Sequence, residues 1–242
     1  MHIKTDRKIF CIGFNKTGTT SLHRYFGKLG FKSIHNTIWP LASQVAVRRK
    51  EARDVQSIFR DNTCFSDGEF PDFQYLDQTY EDSVFILNTR NLRDWIHSRV
   101  KHALGPGLQP LHVRFDHTQT DWFNREYYND EGLVIDKWIY ERAYYHTAVR
   151  RYFSDRVDFL EIDVTTDQAW NTKIRDFLSD NGFKNLPNVQ AIHVNKSDMK
   201  KMESLQELQR NLKIADERLR KYEQTQMKKF SILNLFAKRL VD

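Results

Sequence analysis

Residues 8–30 restrict the fold more than any other stretch of the chain. Lys8 to Phe14 is a short apolar run, bounded by charge on one side and an Asn-Lys-Thr-Gly turn on the other, and it reads as a buried strand. Thr19 to Leu29 follows at once, with Leu22, Tyr25, Phe26 and Leu29 at helical spacing and Gly30 as a stop. A buried strand that passes through a glycine-bounded turn into a helix opens a βα unit, and the chain repeats the pattern. Phe31–His35, Thr63–Ser66, Ser83–Thr89 and Val157–Ile162 are further strand candidates. Helices are expected over Trp39–Phe59, over Pro71–Thr79 with Pro71 at the start, over Asn91–Ala103 with Asn91 as N-cap, over Val134–Phe153 and over Gln168–Asn181. Such alternation implies right-handed crossovers and an α/β fold with a central, mostly parallel sheet. The run Val84-Phe85-Ile86-Leu87 suits a strand covered on both faces.

At 242 residues, 40% of them apolar, the chain can build one sizeable core. The net charge of +6 is unevenly placed: residues 197–242 carry +4, and the other 196 residues only +2. A near-neutral body argues against a nucleic-acid partner. No basic and apolar leader opens the chain, no run of 18 apolar residues occurs, and the two cysteines, Cys11 and Cys64, are too few for a disulfide framework. Both thiols are expected to be buried, and the expected location is cytoplasmic. The texture changes near Asp198, which divides the chain into a body, 1–196, and a C-terminal helical extension, 197–242. In that extension Leu205, Leu208, Leu212, Ala215, Leu219 and Tyr222 follow heptad spacing. The seam can pack on its own chain or pair two chains as a homodimer. The amphipathic stretch at 228–241 can dock on the body, on a partner or on a membrane surface.

The turn Gly13-Phe14-Asn15-Lys16-Thr17-Gly18-Thr19-Thr20-Ser21 has the makings of an anion site. The first amides of a helix lack intrahelical acceptors and carry the positive end of the helix dipole. A glycine at position 18 lets the backbone approach an anion closely, and Thr17, Thr19, Thr20 and Ser21 add hydroxyl donors. The lysine sets the type. A nucleoside-triphosphate loop carries Lys-Ser/Thr directly after its last glycine. Here Thr19 stands in that position, and Lys16 precedes Gly18 by two residues.

That arrangement resembles the 5′-phosphosulfate loop of sulfotransferases, written Lys-(Ser/Thr)-Gly-Thr-Thr. Phe85 to Ser98 resembles the second signature of the same family, in which an Arg ends an apolar strand and a Ser lies eight residues later. Arg90 and Ser98 stand at those positions, where the resemblance implies contacts to a nucleotide 3′-phosphate. An Arg at the carboxyl end of a parallel strand faces the ligand crevice and can grip phosphate with two parallel hydrogen bonds. His193-Val194-Asn195-Lys196 resembles a late segment of bacterial and carbohydrate-type members, and it adds Asn195 and Lys196 to the nucleotide contacts. The resemblance implies a three-layer, P-loop NTPase-like fold with a central parallel sheet. It also implies 3′-phosphoadenosine 5′-phosphosulfate as donor, adenosine 3′,5′-bisphosphate as product, and no metal.

The acceptor implied is a small molecule or a saccharide bearing a hydroxyl or amine. Lys16 would meet the charge that builds on the bridging oxygen of the leaving phosphate. A base is needed for the acceptor proton. Asp67, after Thr63–Ser66, is the first candidate, Glu69 the second and His35 the third; Asp67-Gly68 is also a good turn pair. His102, His112, Arg114, His117 and Trp122 are candidate acceptor contacts. Two other readings stay open: a P-loop kinase or NTPase, and a non-catalytic interaction module that works through its C-terminal helix.

Overall fold

The computed structural model describes residues 6–36, 38–48, 53–104, 131–192 and 203–239. Among the described residues five strands alternate with helices. They are β1 (Ile9–Cys11), α1 (Thr19–Leu29), β2 (Ser33–His35), α2 (Ile38–Arg48), α3 (Arg53–Asp61), β3 (Cys64–Ser66), α4 (Phe73–Thr79), β4 (Val84–Thr89), α5 (Leu92–Leu104), α6 (Glu131–Tyr152), β5 (Phe159–Asp163), α7 (Trp170–Asp180) and α8 (Glu203–Arg239). The described residues form two compact units: Met1–Asn91 with Arg142–Asp198, and Leu92–Glu141 with Met199–Asp242. The extension expected at 197–242 thus shares a unit with residues 92–141.

In the first unit all strands pair in parallel, in the order β2-β3-β1-β4-β5. Side chains alternate across the sheet. On one face Ile9, Cys11, Cys64, Val84 and Ile86 pack against Leu22, Tyr25, Phe26 and Leu29 of α1 and Trp170, Ile174 and Leu178 of α7. On the other, Phe10 stacks with Phe65 at 5.0 Å and Phe85 at 5.5 Å, and is covered by Trp39 and Phe59 from α2 and α3. Phe153, in the turn after α6, meets Phe85 at 4.7 Å there. Helices therefore flank a central sheet, as the alternation of elements predicts. Cys11 and Cys64 are free and buried, and burial pushes both thiols up.

Strand order fixes where a ligand can sit. From β1 the chain crosses to β2 at one edge, comes back to β3 between them, and then adds β4 and β5 on β1's other side. The order reverses between β1 and β4, and open α/β sheets bind ligands beyond the carboxyl ends of the strands at that point.

Several boundaries differ from expectation. Helix over Trp39–Phe59 is described as α2 and α3, with residues 49–52 outside the described residues. The fourth helix is capped by Asp72, whose side chain accepts from the Tyr75 amide at 3.0 Å. A carboxylate that caps the first turn sets the start at Phe73, so Pro71 lies before the helix and not in it.

The second unit is helical. Trp95, Ile96 and Val100 of α5, Val134, Ile135, Trp138 and Ile139 of α6, and Leu208, Ala215 and Leu219 of α8 are all buried. Arg99 lies over the rings of Trp95 and Trp138, 5.3 and 4.5 Å from their centroids. Asp216 accepts from Arg93 at 2.7 Å and pairs with His97 at 3.0 Å, which ties α8 to α5. Leu205 has no described side chain, nor do residues 229–239. Among the described residues no helix is long and apolar enough to cross a membrane.

Candidate active site

The glycine-bounded turn leaves β1 at the point where the strand order reverses, and Asn88 of β4 holds it there. The Gly13 amide donates to Asn88 Oδ1 at 3.0 Å, and Asn88 Nδ2 donates to Thr17 Oγ1 at 2.5 Å. Thr17 Oγ1 in turn donates to the Phe14 carbonyl at 2.5 Å. Asn88 and Thr17 are fully buried, so this chain of bonds is shielded from competing water and fixes the loop firmly. A Cβ on Gly13 would lie 1.9 Å from the Asn88 carbonyl oxygen. Gly13→Ala should therefore destabilise the protein by about 3 kcal/mol, because the backbone of β1 or β4 must move. Chemical denaturation reads this directly, and an unchanged midpoint would contradict the packing described.

Phe14 anchors the same turn on the other side. Its ring meets Phe70 edge-on at 4.9 Å and Tyr145 at 5.3 Å, and tilts over His146 at 5.7 Å. Burial holds the His146 imidazole neutral, with its pKa pushed down to about 3, and its buried Nε2 has no hydrogen-bond partner among the described residues. Gly18, at φ +88°, precedes α1 and supplies no capping side chain. The first amides of the helix are presented without a side-chain acceptor at that cap, as an anion site requires. Thr19 and Ser21 are buried and Thr20 is half-buried.

Lys16 sits in the left-handed region at φ +63°, an uncommon conformation for a residue with a Cβ. Burial lowers the Lys16 pKa, Asp67 opposes that shift and Arg90 adds to it. Arg90 follows β4, and its Nη1 donates to the Lys16 carbonyl at 3.2 Å. Among the described residues its buried Nε has no hydrogen-bond partner. The two cationic residues singled out in the sequence are thus brought together across the β1–β4 edge.

Asp67 follows β3 at the same edge, also left-handed, at φ +66°. Its Oδ1 accepts from Thr19 Oγ1 at 3.1 Å, and its Oδ2 lies 3.8 Å from His35 Nδ1. Glu69 is half-buried two residues on. Ser98 is half-buried on α5, in the second unit, and His102 is exposed on the same helix. Asn195 and Lys196 lie outside the described residues, as do His112, Arg114, His117 and Trp122. Among the described residues no group of three or more His, Cys, Asp or Glu is placed to hold a metal ion.

Two contributors to the site are not among the features that the sequence singles out. Asn88 had a signal, being the one amide side chain in an otherwise apolar strand run. The link from His35 through Thr19 to Asp67 had none, because it depends on the β2–β3 register.

The residues that carry this geometry fall inside a match to a known family. The sulfotransferase-domain family model matches residues 8–199. No curated protein matches the chain.

Proposed function

Since the chain belongs to the sulfotransferase family, we propose that it transfers a sulfuryl group from 3′-phosphoadenosine 5′-phosphosulfate to a hydroxyl or amine on a small molecule or saccharide. The observation that carries this reading is the contact of Arg90 with Lys16 at the mouth of an uncapped helix. The residues present fit the donor. The buried Arg90 Nε, which has no acceptor among the described residues, is a charged donor open to one, and the α1 amides and hydroxyls offer a second anion cradle. When bound, the donor supplies an activated sulfuryl group on a phosphate leaving group.

Each residue then has a task. The first amides of α1, with Thr19, Thr20 and Ser21, hold the 5′ end, and Thr17, whose hydroxyl proton is committed to the Phe14 carbonyl, keeps the loop in shape. Arg90 grips the 3′-phosphate, with Ser98, Asn195 and Lys196 as further contacts. Lys16 is partly desolvated, so its ammonium acts strongly on charge that develops on a nearby bridging oxygen. Asp67 takes the proton of the acceptor. No residue in this account calls for a metal.

Labelled sulfate supplies the test. Incubation with ³⁵S-labelled donor and a panel of sugars, phenols, alcohols and amines should move label into at least one acceptor class. A panel in which no acceptor gains label and no bisphosphate forms would refute the reading. Asp67→Asn should lower turnover about 100-fold or more, with affinity for adenosine 3′,5′-bisphosphate weakened by no more than about threefold. Turnover at the wild-type level would move the base to Glu69 or His35.

A further inference from the structure

His35 has no assigned role in the mechanism above, yet the fold holds it against two parts of the site. β2 and β3 run parallel with His35 opposite Ser66, so His35 and Asp67 leave the sheet side by side. His35 Nε2 lies 3.2 Å from Thr19 Oγ1 and 3.4 Å from Thr20 Oγ1. On the other edge of the ring, Nδ1 lies 3.8 Å from Asp67 Oδ2. Thr19 Oγ1 closes the circuit by donating to Asp67 Oδ1 at 3.1 Å. Behind the ring stands His23, with centroids 5.4 Å apart, itself bonded to Ser33 Oγ at 2.9 Å. The imidazole is packed in place, with about a quarter of its surface exposed.

A hydroxyl carries a single proton. While Thr19 gives it to Asp67, it cannot give it to an anion in the phosphate loop. A carboxylate beside that hydroxyl also repels any anion that enters. Both costs are relieved if another donor holds Asp67, and His35 Nδ1 faces its second oxygen. We infer that His35 is a positioning residue for donor binding. It holds the Asp67 carboxylate, so that the Thr19 hydroxyl can turn toward an anion in the loop, and it thereby links occupancy of the loop to the base. The inference rests on the donor assignment proposed above.

Binding of two nucleotides tests it without any acceptor. Adenosine 3′,5′-bisphosphate carries a 5′-phosphate for the loop, and adenosine 3′-monophosphate does not. His35→Ala should weaken the bisphosphate about tenfold, as expected for one unscreened carboxylate a few ångströms from an anion, and leave the monophosphate unchanged. Removing the carboxylate as well, in His35→Ala with Asp67→Asn, should restore bisphosphate affinity to within about threefold. His35→Asn keeps a donor toward Asp67 and should stay near wild type, which covers the case of an alanine variant that fails to fold. Equal losses for both nucleotides, or no recovery in the double variant, would overturn the role of His35 while the donor assignment stands. Wild-type protein that binds neither nucleotide overturns the donor assignment itself.

Discussion

Lys16→Ala should lower sulfuryl transfer about 1000-fold, the loss typical when one preorganised donor to developing transition-state charge is removed. The position of Lys16 is set by its own backbone, at φ +63°, and by the Arg90 bond to its carbonyl. Burial has already removed part of its water, since burial is the main cause of its lowered pKa. A cation that has been desolvated before the reaction begins need not shed water as charge develops, so more of its Coulomb energy reaches the transition state. Alanine is the informative replacement. It keeps a Cβ at the left-handed position and leaves the backbone strain as it was, whereas glycine would relax the loop. Thermal unfolding of the variant should match wild type to within a few degrees. Single-turnover transfer of labelled sulfate measures the effect, and a loss below about tenfold would remove Lys16 from the chemistry.

Arg90→Ala should weaken adenosine 3′,5′-bisphosphate about 100-fold and change adenosine 5′-monophosphate by no more than about threefold, because the charged hydrogen bonds lost are those to the 3′-phosphate. The guanidinium is set by what surrounds it. Its Nη1 is engaged with the Lys16 carbonyl, its main-chain carbonyl accepts from Arg142 Nη2, and its buried Nε has no partner among the described residues. A guanidinium so fixed loses little freedom on meeting phosphate. Arg90→Lys keeps the charge without the planar fork, and should recover less than about tenfold of the loss. Calorimetric titration of both nucleotides separates the cases. Equal losses would mean that Arg90 serves the phosphate loop through Lys16 and not the 3′-phosphate.

Much of the frame is legible in the sequence. The helix at Thr19–Leu29 has the predicted bounds and ends at Gly30, left-handed at φ +96°, because spacing, glycine and apolar stripe all agree there. Strand centres were also plain, since each is a short apolar run, but their ends were not. The first strand is Ile9–Cys11 within the expected Lys8–Phe14, and the second is Ser33–His35 within Phe31–His35. A strand ends where its ladder partners end, and that is a property of the sheet rather than of the run. The start of the fourth helix turned on competition between Pro71 and Asp72, which the Asp72 side chain settles by capping.

Long-range geometry was beyond the sequence. Lys16 and Arg90 could be paired beforehand only by resemblance; their contact follows from β1 and β4 being neighbours. Nothing local joins Asn88 to Gly13 and Thr17 across more than seventy residues, or His35 to Asp67 across two strands. The heptad series at Leu208, Ala215 and Leu219 could be read from its spacing, yet spacing alone left its partner open. In the second unit these residues are buried, and α8 is tied to α5 through Asp216.

The most direct measurement is a calorimetric titration of the wild-type protein with adenosine 3′,5′-bisphosphate in the presence of a chelator, set against ATP with Mg²⁺. A loop whose lysine precedes its last glycine, paired with Arg90, predicts micromolar binding of the bisphosphate that needs no divalent ion, and much weaker binding of ATP. Tight binding of ATP with Mg²⁺ and none of the bisphosphate would contradict it.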